Sequence, residues 1–127
     1  MNKSFTDLGL LILRISFAGM MLTHGIPKIN LLLESPIKFA SPFGIGETAT
    51  LILALIGEVV APILLLIGYK TKLASIPSII TMFVAAFVIH ATDPFGVKEK
   101  ALLFLAGFLV IFLMGAGKYS IDGFKKQ

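Results

Sequence analysis

Apolar residues run along this 127-residue chain in four long, nearly unbroken stretches. A helix that crosses a bilayer needs about 20 mostly apolar residues. The pattern predicts such helices over residues 8–26, 48–68, 73–91 and 101–117. The first stops before Pro27 and the third before Asp93-Pro94; the fourth is the shortest. Strands are a poor reading of these runs. Lipid offers the backbone no hydrogen-bond partners, so each segment must satisfy itself as a helix or join a closed barrel. Barrel strands would be about 10 residues long and alternate in polarity, and the stretches here are continuous and longer. The expectation is an all-α membrane protein, an antiparallel four-transmembrane-helix bundle, with residues 1–127 as one domain.

The segment between the first two helices, residues 27–47, is the only long connection. It carries Ile29, Leu31, Leu32, Leu33, Ile37, Phe39 and Phe43. So many apolar side chains suit an interfacial segment, or a lid over the mouth of the bundle, better than a solvated loop.

Composition supports lipid as the solvent. Hydrophobic residues make up 57% of the chain and mean hydropathy is +0.97, while small soluble domains bury proportionally little of their surface. The formal charge of +4 does not point to nucleic acid, because the lysines fall between apolar runs and form no aromatic-interleaved cluster. Their distribution reads as topology. Lys3, Lys70, Lys72, Lys118, Lys125 and Lys126 flank one side. Lys28, Lys38, Lys98 and Lys100, offset by Glu34, Glu47, Asp93 and Glu99, flank the other. Positive residues favour the cytoplasmic side, which predicts an inner-membrane protein with both termini in the cytoplasm. Tyr69 and Tyr119 fit the same interface. Arg14 interrupts the first apolar run and no small-residue cleavage site follows it, so a cleaved signal peptide is not expected. The chain has no cysteine, which excludes thiol catalysis and cysteine metal sites.

Two ionisable residues lie deep in the apolar runs, Arg14 and Glu58. A central charge costs about 2.5–3.5 kcal/mol on insertion scales, so the two are expected to pair across neighbouring helices. Such a pair reads either as a structural clamp or as the charged floor of a ligand pocket. Pro62 stands four residues after Glu58 and deprives the Glu58 carbonyl of its helical N–H partner. Ala54, Gly57 and Ala61 share the Glu58 side, and such small residues permit close approach.

Arg14, Met21, Gly25 and Lys28 form one stripe on the first helix, with His24 at its edge. His90 closes the third helix at the same mouth. The expected ligand-binding set is therefore Arg14, His24, Lys28, Glu58 and His90. No metal is expected, because two histidines with a distant Glu47 or Asp93 lack ligand spacing. Phe83, Phe87, Phe104, Phe108 and Phe112 read as core and lipid-facing packing.

Leu13-Arg14, His24-Gly25 with Lys28, Gly57-Glu58, the turn Leu66-Ile67-Gly68-Tyr69-Lys70-Thr71-Lys72-Leu73-Ala74, and His90 together resemble the DoxX family of small bacterial membrane proteins. Lys72 stands where many members are expected to carry arginine, which keeps the charge. The resemblance implies a redox-associated inner-membrane protein, as its relatives are linked to sulfur and thiol redox chemistry. With no cysteine and no cofactor motif, a chain like this one would work with redox-protein partner subunits or as a homo-oligomer, in contact with the lipid bilayer. It would bind a small or lipophilic ligand such as a quinone, whose carbonyls need donors. The rival expectations are a non-catalytic accessory or assembly protein, and a small transporter. Against the latter stands the lack of an inverted repeat.

Overall fold

The structure, a computed structural model, describes residues 3–125. Among them there is no strand. Helix α1 spans Lys3–Gly25 and continues as a 3₁₀ segment over Ile26–Leu33. Helix α2 covers Glu47–Ile67 and α3 covers Thr71–Ile89. Helix α4 runs Phe95–Met114, and the short α5 spans Ile121–Lys125. The runs Lys3–Leu33, Glu47–Ile67 and Thr71–Ile89 are long and apolar enough to cross a membrane.

The helices begin earlier than the apolar runs do. Helix α1 starts at Lys3 rather than residue 8, and α4 at Phe95 rather than 101. Hydropathy stops counting at the first charges, whereas Lys98, Glu99 and Lys100 are good helix formers and extend α4 backwards. The predicted loop 27–47 is helical in its first part. Pro27 sits in the first turn of the 3₁₀ segment, where its missing N–H costs nothing.

Each long helix packs beside two others: α1 against α2 and α4, and α3 against α2 and α4. The packing is antiparallel. Arg14, midway along α1, meets the last turn of α2 at Leu65 and Leu66, while Gly25 at the end of α1 meets Glu58, earlier in α2. Ala18, Met21, Leu65, Ala74, Met82, Phe104, Phe108 and Ile111 form the core. Phe17 meets Phe104 and Phe108 edge-on at 5.9 and 6.3 Å. Phe83 and Phe87 face outward, about half exposed, so the aromatic residues divide between core and periphery. Ile12, Leu53, Ile63, Ile80, Leu103 and Leu113 are exposed as well. A surface this apolar on every long helix suits lipid contact.

The bundle has two unlike ends. The first turn of α1, the α2–α3 turn and the C-terminal segment meet at one, here the basic end. The 3₁₀ segment, the middle of α2 and the α3–α4 junction meet at the other, the far end. Lys126 lies outside the described residues.

At the basic end the backbone is closed by side chains. Gly68 adopts φ 70°, and Gly68 and Tyr69 donate back to Leu65 and Leu64. This Schellman turn ends α2 and favours glycine. Arg14, 1% exposed, donates to Leu65 O and Leu66 O at 3.2 Å and to Tyr119 O. It thereby caps carbonyls that the helix end leaves open and ties the C-terminal segment to α1 and α2. Asp122 accepts the Lys70 and Thr71 N–H groups, both at 2.8 Å, which caps α3. Asp7 accepts the Lys118 N–H at 3.2 Å.

Candidate functional site

Glu58 sits where α2 departs from α-helical geometry. Residues Ile56–Val60 form a π turn, and Ala61 N–H reaches back five residues to Ile56 O. Pro62 follows and has no N–H to offer Glu58 O. The backbone of α1 moves in at that carbonyl: a Cβ on Gly25 would collide with Glu58. Glycine at 25 is thus required by the approach of two helices. Helix α3 repeats the device. Ala85–Ile89 form a second π turn, closed by His90 N–H to Ala85 O at 3.0 Å.

The Glu58 carboxylate is buried, its side chain 5% exposed, and it pairs with Lys28. Lys28 Nζ donates to Oε1 at 2.7 Å and to Oε2 at 2.9 Å. The expected Arg14–Glu58 pair does not form. A helical side chain leans towards the N-terminus of its own helix. Helices α1 and α2 run in opposite directions, so Arg14 leans to the basic end and Glu58 to the far end. Their stations along the bundle, Leu65 and Glu58, differ by seven residues, roughly 10 Å.

A cavity of about 250 Å³ opens beside the Lys28–Glu58 pair. His24, His90 and Lys100 also line it, with Met21, Met82 and Phe104 among the apolar lining residues. Four of the five expected site residues therefore converge there: His24, Lys28, Glu58 and His90. Arg14 does not; it belongs to the basic end. The His24 ring packs edge-on against Phe104, with centroids 5.8 Å apart. His90 Nδ1 lies 2.8 Å from Asp93 Oδ2, which orients the imidazole and leaves Nε2 outside that contact.

Lys100 and Asp93 join the site although the sequence marks them as membrane flanks. Lys100 is one turn before Phe104 on α4 and lines the cavity with it, and the spacing of three between His90 and Asp93 permits their local contact. At the basic end, Asp7 shares a heptad stripe with Arg14, Met21 and Lys28.

The cavity offers cations and donors around a single buried carboxylate. Lys28 has a third N–H beyond the two that Glu58 takes, and Lys100 and the imidazoles add further polar groups. Apolar side chains complete the lining. These features define an all-helical membrane protein with a polar chamber at one end of its bundle. The chain belongs to the DoxX family, whose pattern matches residues 9–91. Two proteins of Haemophilus influenzae (strain ATCC 51907 / DSM 11121 / KW20 / Rd), each named an uncharacterized protein, are similar to it. One is 29% identical over 130 residues, spanning 96% of this chain and 86% of the relative. The other is 32% identical over 123 residues, spanning 90% of each. No solved structure matches.

Proposed function

We propose that this chain is a four-span inner-membrane protein of the DoxX family that holds the polar ring of a lipophilic ligand, of the quinone class, in the far-end chamber. The observation that carries the reading is the Lys28–Glu58 pair facing His24, His90 and Lys100 across one cavity with apolar residues in its lining. Quinone carbonyls accept hydrogen bonds only, and Lys28, Lys100 and the two histidines can donate. Glu58 supplies an acceptor for hydroxyl groups. The volume of about 250 Å³ is near the lower end of small-molecule pockets, about 300 Å³, so it suits a ring whose tail extends into lipid. Such a ligand supplies redox chemistry when bound. The chain's own residues bind and orient the ring, and Glu58 and the histidines are placed to hold or pass protons.

The fourth span rests on α4. Its charges, Lys98, Glu99 and Lys100, all lie in its first two turns, and the remainder from Ala101 to Met114 carries none. That remainder is about 21 Å long, and the lysine stems can reach the interface to make up the difference. Termini in the cytoplasm follow from the lysines gathered at the basic end; reporter fusions at Lys38 and at the C-terminus check that orientation.

The binding test uses purified protein and short-tailed ubiquinone and menaquinone analogues, with bound quinone measured after gel filtration. Saturable binding that weakens about tenfold or more in Glu58→Gln is expected. Absence of binding for every quinone tried overturns the reading. Redox-protein subunits that copurify with a chain unable to bind quinone would establish the accessory role instead.

A further inference from the structure

We propose that the basic end carries a second site, one that holds the phosphate head group of an anionic phospholipid. The site lies at the opposite end of the bundle from the polar chamber and depends on no ligand there.

An open cavity of about 1220 Å³ lies between the first turns of α1, the α2–α3 turn and the C-terminal segment. Lys3, Lys70, Lys72, Lys118 and Lys125 border it, and all five are exposed. Among the described residues none of them makes an ion pair. The two carboxylates at the same cavity are engaged by backbone donors: Asp7 by the Lys118 N–H, Asp122 by the Lys70 and Thr71 N–H groups. Five cations against two anions leave a local surplus of positive charge. Behind Tyr119 the buried Arg14 is held by carbonyls and has no hydrogen bond to a carboxylate, so it adds to that field.

Aromatic rings hold the ammonium groups at this level. Lys125 Nζ stands 4.8 Å from the centre of the Tyr69 ring, and Lys118 Nζ 5.8 Å from that of Tyr119. The cavity also has an apolar edge. Leu10, Leu73 and Met114 line it, and Leu73 and Met114 are 64% and 53% exposed. Neighbouring Leu113, 71% exposed, continues that edge along α4. A soluble anion needs the lysines alone. A phospholipid uses both edges, its phosphate on the ammonium groups and its acyl chain along Leu73 and Leu113. Clusters of lysine beside a membrane helix attract anionic head groups, and each cation near the surface strengthens the attraction.

The test measures retention of phosphatidylglycerol against phosphatidylcholine on the full chain, by native mass spectrometry from mixed micelles. Preferential retention of phosphatidylglycerol is expected, and the double variant Lys70→Gln/Lys72→Gln should lower it about tenfold. A second double variant, Lys118→Gln/Lys125→Gln, should do the same. The charge-matched control Lys38→Gln/Lys98→Gln at the far end should leave it within twofold. Equal loss in the control means a diffuse field and overturns the site. So does the absence of any phosphatidylglycerol preference in the unmodified protein. Displacement of the lipid by millimolar inorganic phosphate would make it a site for soluble anions and overturns the lipid assignment.

Discussion

The two halves of the Lys28–Glu58 pair are not equally buried, and that asymmetry predicts unequal mutants. The Glu58 side chain is 5% exposed and the Lys28 side chain 34%. Lys28→Met leaves the carboxylate in the bundle without a counter-charge, and removing one partner of a buried pair costs about 3–5 kcal/mol. Glu58→Gln keeps the shape and one acceptor oxygen, while Lys28 retains its path to water. That change trades charge-assisted hydrogen bonds of about 1.5–3 kcal/mol for a neutral one of about 0.5–1.5 kcal/mol, a loss near 1 kcal/mol. The difference of about 2–4 kcal/mol corresponds to roughly 30- to 900-fold in an equilibrium constant. The double variant Lys28→Met/Glu58→Gln buries no charge and should lose less than Lys28→Met alone, a non-additivity expected of groups in contact. Reversible unfolding by sodium dodecyl sulfate in mixed micelles measures these differences. It is followed by helical circular dichroism, since the chain has no tryptophan. Equal losses in the two single variants, or additive losses in the double, refute the reasoning.

Two further outcomes concern the basic end. Arg14→Leu strands the carbonyls of Leu65, Leu66 and Tyr119 and should cost about 1–3 kcal/mol for each that stays buried without a donor, read in the same assay. Arg14→Lys should recover only part of that, since a compact ammonium does not span a helix end and the C-terminal segment together; full recovery would contradict the clamp. The Asp122 carboxyl lies below its ordinary value near 3.8. Burial works to raise it, but the hydrogen bonds from Thr71 and Lys70 and the Lys125 charge together outweigh that effect. A depressed value in the folded state stabilises fully above about pH 4 and is lost as pH falls through the folded value. Protection of the Lys70 and Thr71 amides from hydrogen exchange, taken relative to the intrinsic exchange rate at each pH, should therefore fall on acidification below about pH 4. In Asp122→Asn that acid-dependent loss of protection should vanish; if it persists unchanged, Asp122 is not the titrating group.

Much of this arrangement was legible in the chain, for reasons that differ by element. Length and continuity of the apolar runs located α2 and α3 almost to the residue, because lipid demands both. The stripe through Arg14, Met21, Gly25 and Lys28 correctly picked the inward face of α1, whose buried residues include Arg14, Ala18, Met21 and Gly25. The error lay in pairing charges by depth alone. The lean of Cβ along each helix was available from sequence and separates Arg14 from Glu58 while bringing Lys28 to Glu58. The tail was beyond reach: α5 has five residues, too few for a period, and Asp122 gains its role only where the chain folds back onto Gly68.

The division of labour between the two ends follows from the same backbone accounting. At the basic end, Arg14, Asp7 and Asp122 satisfy helix termini that meet in a tight turn. At the far end the helices depart from α geometry at Ile56–Val60 and Ala85–Ile89. Irregular backbone within a membrane bundle is tolerated where it lines a cavity or is buried in protein, and single π turns in helices often mark functional sites. Here the first contains Glu58 and the second ends at His90, both at the chamber. One irregular turn could be explained by Pro62 alone. The second has no proline at the corresponding place after it, and it ends at His90, which lines the same chamber as Glu58. Two helices that depart from regular hydrogen bonding around one small polar volume fit the ligand chamber proposed above. Ser78 ties the first of these turns to α3: its hydroxyl donates to Gly57 O at 2.6 Å.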